Sequence, residues 1–170
     1  MIVTITVVGD KELSAKFESM PAAVHAALLQ KVSGLVLKLE AYVKTRKLSG
    51  QVLNRKKGAL IRSIGSKVEQ ATQAVWGIVF QSSDVPYGGI HEYGGTTSAH
   101  IIIPKKASVL AFIGKMGTKA FATKVNHPGS KMPERSYMRS SLREMSAEIS
   151  MGLKETVVMA AQAATTGAKP

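Results

Sequence analysis

Four histidines and eleven carboxylates, with no cysteine, are the main stock of acid–base and metal-binding side chains in this 170-residue chain. Their spacing gathers none of them into a site. His91-Glu92 opens the His-Glu-x-x-His pattern that sets two imidazoles on one helix face for zinc, but Gly95 stands where the second histidine is needed. His25, His100 and His127 are isolated in sequence and read as surface or packing residues. Asp10, Asp84, Glu92 and Glu134 fall in loops or turns, and no two carboxylates have the spacing of an acid–base pair. Gly117-Thr118-Lys119 has the wrong order for a Walker loop, and there is no dinucleotide fingerprint or Gly-x-Ser-x-Gly elbow. The absence of cysteine excludes disulfides, thiolate zinc sites, iron–sulfur clusters and cysteine nucleophiles. The expectation is a non-enzyme without cofactor or metal.

Charge is the extreme feature. Lys+Arg number 23 against 11 acids, a formal charge of +12. Such a surface attracts phosphate, anionic lipid or acidic protein patches. Most of these cations would merely solvate the outer faces of amphipathic helices. Arg55-Lys56-Lys57 differs, because three adjacent cations repel one another unless an acidic partner or polyanion compensates. Gly114-Lys115-Met116-Gly117 resembles the Gly-x-x-Gly loop of KH domains, which clamps a nucleic-acid backbone. That loop lies between helices, however, whereas strand-like runs flank it here, so a glycine-rich hairpin is the better reading. One Trp, four Tyr and four Phe also make a thin stacking platform for single strands.

The elements that would position these residues follow from periodicity. Residues 2–8 alternate as a half-buried strand, with Val3, Ile5 and Val7 on one side, and Asp10 can cap a helical turn over 11–19. From Pro21, the residues Val24, Leu28, Val32, Leu35, Leu39 and Tyr42 form one stripe on a helix ending near Leu48. Residues 50–58 read as an exposed basic loop, and 59–64 as a helical turn or the start of a strand. Residues 67–71 and 74–80 read as two strands of a meander. A short helix is expected over 86–93, ended by Gly94-Gly95. Ile101-Ile102-Ile103 reads as a short buried run stopped by Pro104. Residues 109–113 and 120–125 read as paired strands, and His127-Pro128-Gly129 as a turn. A second long helix starts at Ser136, with Met138, Leu142, Met145, Ile149, Leu153 and Val157 on one face. The predicted fold is α+β: a mostly antiparallel sheet of four to six strands packed against two long helices. It forms one domain over 1–165, with 166–170 a disordered tail. No secretory leader is expected after Met1, and no window reaches the ~18 apolar residues of a spanning helix.

Three separated motifs resemble a known family. Gly58-Ala59-Leu60-Ile61-Arg62-Ser63-Ile64 is similar to a Thr-Gly-x-Leu-x-x-Ser-Ile stretch, with Lys57 in place of Thr. Tyr87-Gly88-Gly89-Ile90-His91-Glu92-Tyr93-Gly94-Gly95-Thr96 is similar to Tyr-Ala-x-x-x-Glu-Phe-Gly-Thr. Pro133-Glu134-Arg135-Ser136-Tyr137-Met138 is similar to the Pro-x-Arg-x-Phe-Leu segment that opens a last helix, though Arg139-Ser140 stands where proline often follows. In this order and spacing they resemble the tail-component and tail-completion (head–tail joining, virion-morphogenesis) proteins of long-tailed bacteriophages, the family of the lambda minor tail protein Z. The stretch 97–132 is longer than the compact family core and reads as an extra hairpin. Within the motifs, Tyr87 and Tyr93 are expected to bury their rings. Arg135 and Arg139 would sit at the wrong end of a helix dipole for cations, held by carboxylates of the same or a neighbouring subunit.

The resemblance implies a structural virion protein of the neck or tail, made and assembled in the host bacterial cytoplasm. It would act by forming a ring, expected to be a hexamer, and docking on tail-tube, tail-terminator or head-closure proteins, with transient DNA contact in the lumen and no membrane. The candidate contacts are Arg55, Lys56, Lys57 and Arg62 near the basic loop, Lys115 and Lys119 on the hairpin, and Arg135 and Arg139 at the last helix. The rival class is a basic nucleic-acid-binding module.

Overall fold

The computed structural model describes residues 22–71, 74–114 and 117–166. The strand expected over 2–8, the turn over 11–19, residues 115–116 of the hairpin loop and the end of the tail lie outside these. Helix α1 (Ala22–Tyr42) runs into a π-helical turn (Val43–Lys47). A short α2 (Ala59–Ser63) leads directly into β1 (Ile64–Ala71), so residues 59–64 are both a helical turn and a strand start. Then follow β2 (Ala74–Gln81), α3 (Gly88–Tyr93), and six short strands: β3 (Gly95–Thr97), β4 (His100–Ile102), β5 (Leu110–Ile113), β6 (Lys119–Ala122), β7 (Val125–His127) and β8 (Ser130–Met132). Helix α4 (Met138–Thr166) closes the chain. The fold is α+β.

The body is built on α1. Its inward stripe is Val24, Leu28, Val36 and Leu39, continued by Val43. The stripe passes through Val36 and Val43, and the expected Leu35 and Tyr42 are only half-buried. One side of α1 lies on the β1–β2 hairpin, which pairs in unbroken register from Ile64↔Gln81 to Ala71↔Ala74. The other side meets α4, antiparallel to it, with Lys38 facing Glu148 and Lys47 Nζ 2.6 Å from Glu144 Oε1. The core gathers Val36, Leu39, Val43, Leu48, Leu53, Ile64, Val79, Tyr137, Met138 and Met145.

The sheet departs from expectation in its division. The eight described strands form four two-stranded ribbons, with no continuous four-to-six-stranded sheet among the described residues. Three of the ribbons are nested: β3 with β8, β4 with β7 and β5 with β6. The pairing runs in step from Gly95↔Met132 to Ile102↔Val125 and resumes at Leu110↔Ala122. Residues 103–109 bulge opposite 123–124. Residues 95–132 are therefore one long interrupted hairpin, the extra hairpin that the sequence suggested. No described residue in it is buried. The expected burial of Ile101-Ile102-Ile103 fails for that reason: a two-stranded ribbon has no second layer to cover them.

Segment Ala22–Lys47 is long and apolar enough by length and composition to cross a membrane, with a mean hydropathy of 1.3, against the expectation that none would be. Its first eighteen residues carry only Lys31 and Lys38 as charges. Here its buried stripe is used inside the fold, against β1, β2 and α4.

Gly77, in the middle of β2, sets the approach of hairpin to helix, because a Cβ there would overlap the Val36 side chain. Gly77→Ala is expected to cost about 1–3 kcal/mol, as overpacking does. Calorimetric melting checks this; an unchanged melting temperature would mean that α1 does not rest on β2 at this point.

Candidate functional site

The polar centre of the molecule is Glu92, the last acid before the hairpin and 0% exposed. It sits on α3, whose end at Gly94 turns with φ +70°. A Cβ on Gly94 would lie 2.9 Å from the backbone nitrogen of Glu134, so the residue must be small as well as left-handed. This close crossing brings α3 against the start of α4. The first amides of a helix have no partner within it and carry the positive end of its dipole. Glu92 supplies both the acceptors and the charge. Its Oε2 accepts from the N–H of Tyr137 (2.7 Å) and of Met138 (2.9 Å). Its Oε1 accepts from the N–H of Arg139 (2.9 Å), the Ser136 hydroxyl (2.8 Å) and Arg139 Nε (3.1 Å). The next amide, Ser140 N–H, donates to Ser136 Oγ at 3.2 Å. The helix is thus capped partly by its own Ser136 and partly by a residue 44 positions earlier.

Around this carboxylate the other contacts close. Arg139 Nη2 donates to the Glu92 carbonyl and to Glu134 Oε1, and the guanidinium lies 4.4 Å over the Tyr93 ring. Arg135 N–H donates to the His91 carbonyl at 2.8 Å. Tyr137, fully buried, shares its hydroxyl hydrogen between Gln81 Oε1 (3.1 Å) and the Gly88 carbonyl (3.3 Å). Gln81 Nε2 donates to the Val85 carbonyl, and Gln81 is paired with Ile64 at the start of β1. Ser82 N–H donates to the Ser63 carbonyl at 2.7 Å. Motif segments 87–96 and 133–138 therefore meet directly, and segment 58–64 is joined to them through Gln81 and Ser82.

Burial pushes the Glu92 carboxyl up, but the amides of Met138, Arg139 and Tyr137 and the Ser136 hydroxyl more than offset it, leaving it below the ordinary value. Burial and the nearby Glu92 charge push the Tyr137 phenol far up, so it stays a donor. All lone pairs of Glu92 are committed to the chain itself, which suits a structural cap better than an acid or base. Among the described residues no three His, Asp or Glu side chains lie together as a metal site.

The sequence-derived contact residues are scattered. Arg55, Lys56 and Lys57 lie exposed together on the loop before α2. Arg62 is exposed beside them and donates to the Lys57 carbonyl at 3.0 Å. Lys119 is exposed on β6, near the hairpin tip, and Lys115 falls outside the described residues. Arg135 is exposed just before α4. Arg139 is held by Glu92 and Glu134 of its own chain, which removes the dipole conflict at the helix start. Tyr87 and Tyr93 do not bury their rings. The pocket at this junction belongs to Tyr137, while Tyr93 lies under Arg139 at the surface. Sequence reasoning missed Glu92, Tyr137 and Gln81 as a unit. The available signal was an acid two residues before a Gly-Gly turn, in a stretch otherwise free of acids up to Glu134.

No protein-family model, curated protein or solved structure matches this chain.

Glu92→Ala strands three helix amides and Arg139, and is expected to cost about 3–5 kcal/mol, as removal of one buried charged partner does. Glu92→Gln keeps one acceptor oxygen but turns an NH2 toward the amides; about 1–3 kcal/mol is expected. Because the folded carboxyl lies below its unfolded value near 4.5, its contribution is complete above that pH and is lost as pH falls through the folded value. Denaturant titrations at neutral and acid pH check this: Glu92→Gln should lose less stability on acidification than the parent chain.

Proposed function

We propose that the chain is a structural virion protein of a phage neck or tail, acting by ring assembly and by docking on neighbouring proteins, without catalysis. The observation that carries this reading is that two of the three motif segments meet at Glu92, with the third joined to them through Gln81 and Ser82. Segments that resemble one family in order and spacing are linked in one network, two of them directly and the third through Gln81 and Ser82, which a chance resemblance would not require. The rest of the molecule suits docking. A long hairpin with no buried residue among those described is rooted on the junction, and the cluster Arg55-Lys56-Lys57 stands exposed on a separate loop. A ring needs one surface of each subunit to fit a different surface of the next.

The nucleic-acid-binding alternative draws on the same three exposed cations and on the net charge of +12. Mass photometry over a range of concentrations, with a parallel titration of a random DNA duplex at several salt concentrations, separates the two. The virion reading expects a discrete closed oligomer that grows with concentration, and weak duplex binding. A chain that stays monomeric and binds duplex tightly, with an affinity falling steeply in salt, would overturn it.

A further inference from the structure

The hairpin of residues 95–132 combines three properties that together specify a partner. It is apolar on both faces. Residues directly opposite one another share a face, so Phe112 lies with Ala120, while Phe121 lies with Ala111 and beside Ile113. Ile113 is 75% exposed, Phe121 65% and Ile103 63%. It is purely cationic: Lys105, Lys106, Lys115, Lys119, Lys124 and Lys131 occur between Glu92 and Glu134, and no acid does. None of the five described lysines makes an ion pair among the described residues. Finally, each ribbon has only two strands among the described residues, which leave the outer edge of each strand unpaired. A two-stranded ribbon is marginal in water and gains independent stability from a third strand or a covering layer.

We infer that the outer ribbon, β5–β6, binds an acidic, apolar-faced β-strand of a different protein by edge pairing. This rests on the docking function proposed above and names the partner's chemistry. Charge argues against a second copy as the natural occupant, since the whole chain carries +12. Six of the eight described carboxylates already face a lysine or arginine of their own chain, namely Glu40, Glu69, Glu92, Glu134, Glu144 and Glu148. Among the described residues a copy therefore has few acids to offer the hairpin lysines. An anionic bilayer would satisfy the lysines and cover Phe121 and Ile113. It would also strip water from the unpaired strand edges, which lipid cannot hydrogen-bond. A strand satisfies all three: its backbone pairs with the edge, its apolar side chains cover one face and its acids meet Lys119 on β6 and the lysines that flank the ribbon in sequence.

The test uses the full chain and three short labelled peptides. One alternates glutamate with valine or isoleucine, one has the same composition plus two central prolines, and one has lysine in place of glutamate. Mixed phosphatidylcholine–phosphatidylserine vesicles and a DNA duplex are titrated in parallel. The acidic alternating peptide should bind, weaken with salt, and slow amide exchange at residues 110–113 and 119–122. The proline and lysine peptides should bind at least about tenfold more weakly. Phe121→Ser with Ile113→Ser should weaken the acidic peptide by about tenfold or more, whereas Leu37→Ser, an exposed apolar change on α1, should not. Equal binding of the proline peptide, protection appearing elsewhere, or vesicles or duplex binding the hairpin in preference to the acidic peptide would overturn the inference. Peptide binding by a chain that never forms a ring supports the strand inference while the ring reading falls. Ring formation with a hairpin indifferent to the acidic peptide does the reverse.

Discussion

One buried carboxylate joins the root of the hairpin to the start of the last helix. The long last helix begins with amides that no residue within it can satisfy, and Glu92 reaches them from the far side of a hairpin of about forty residues. An unpaired buried acid would be costly, and so would three unpaired buried amides. Each is tolerated because of the other. The same contact fixes where α3 ends, where the hairpin leaves the body and where α4 starts. Gly94 and Arg139 are consequences of it: the first lets the backbones cross, and the second neutralises what charge remains.

Stability and display are divided accordingly. The core of α1, β1, β2 and α4 buries aliphatic residues, Met145 and Met138, with Tyr137 completing it at the junction. The hairpin buries nothing of its own, and its position is inherited from its root. The lysines follow the same division. In the body Lys38, Lys44, Lys47 and Lys67 face acids of the chain while Lys31 and Lys154 do not, and none of the five described hairpin lysines does.

Much of this was legible in the residues. The two long helices follow from three-four spacing of Val24, Leu28 and Leu39 and of Met138, Leu142 and Met145. The hairpin β1–β2 follows from its β-branched and aromatic run. The left-handed turn at Gly94 follows from the paired glycines. What was not legible depends on distance in sequence. Periodicity places a residue on a face but does not say which remote amide its carboxylate will meet, so Glu92 read as one more loop acid. Burial failed for Ile101-Ile102-Ile103 because an apolar run signals a covered strand only where a second layer exists. The Tyr87 and Tyr93 rings failed similarly: aromatic residues on a short helix have two sides to choose from, and Tyr137 had already filled the inner one.

The most direct measurement is residue-resolved hydrogen exchange on the parent chain and on Glu92→Gln at neutral pH. If Glu92 joins the hairpin root to the last helix, the amides of residues 137–140 and those of β3 and β8 lose protection together, while β1 and β2 keep theirs. Unchanged protection at β3 and β8, with loss confined to the first turn of α4, would contradict that joint role.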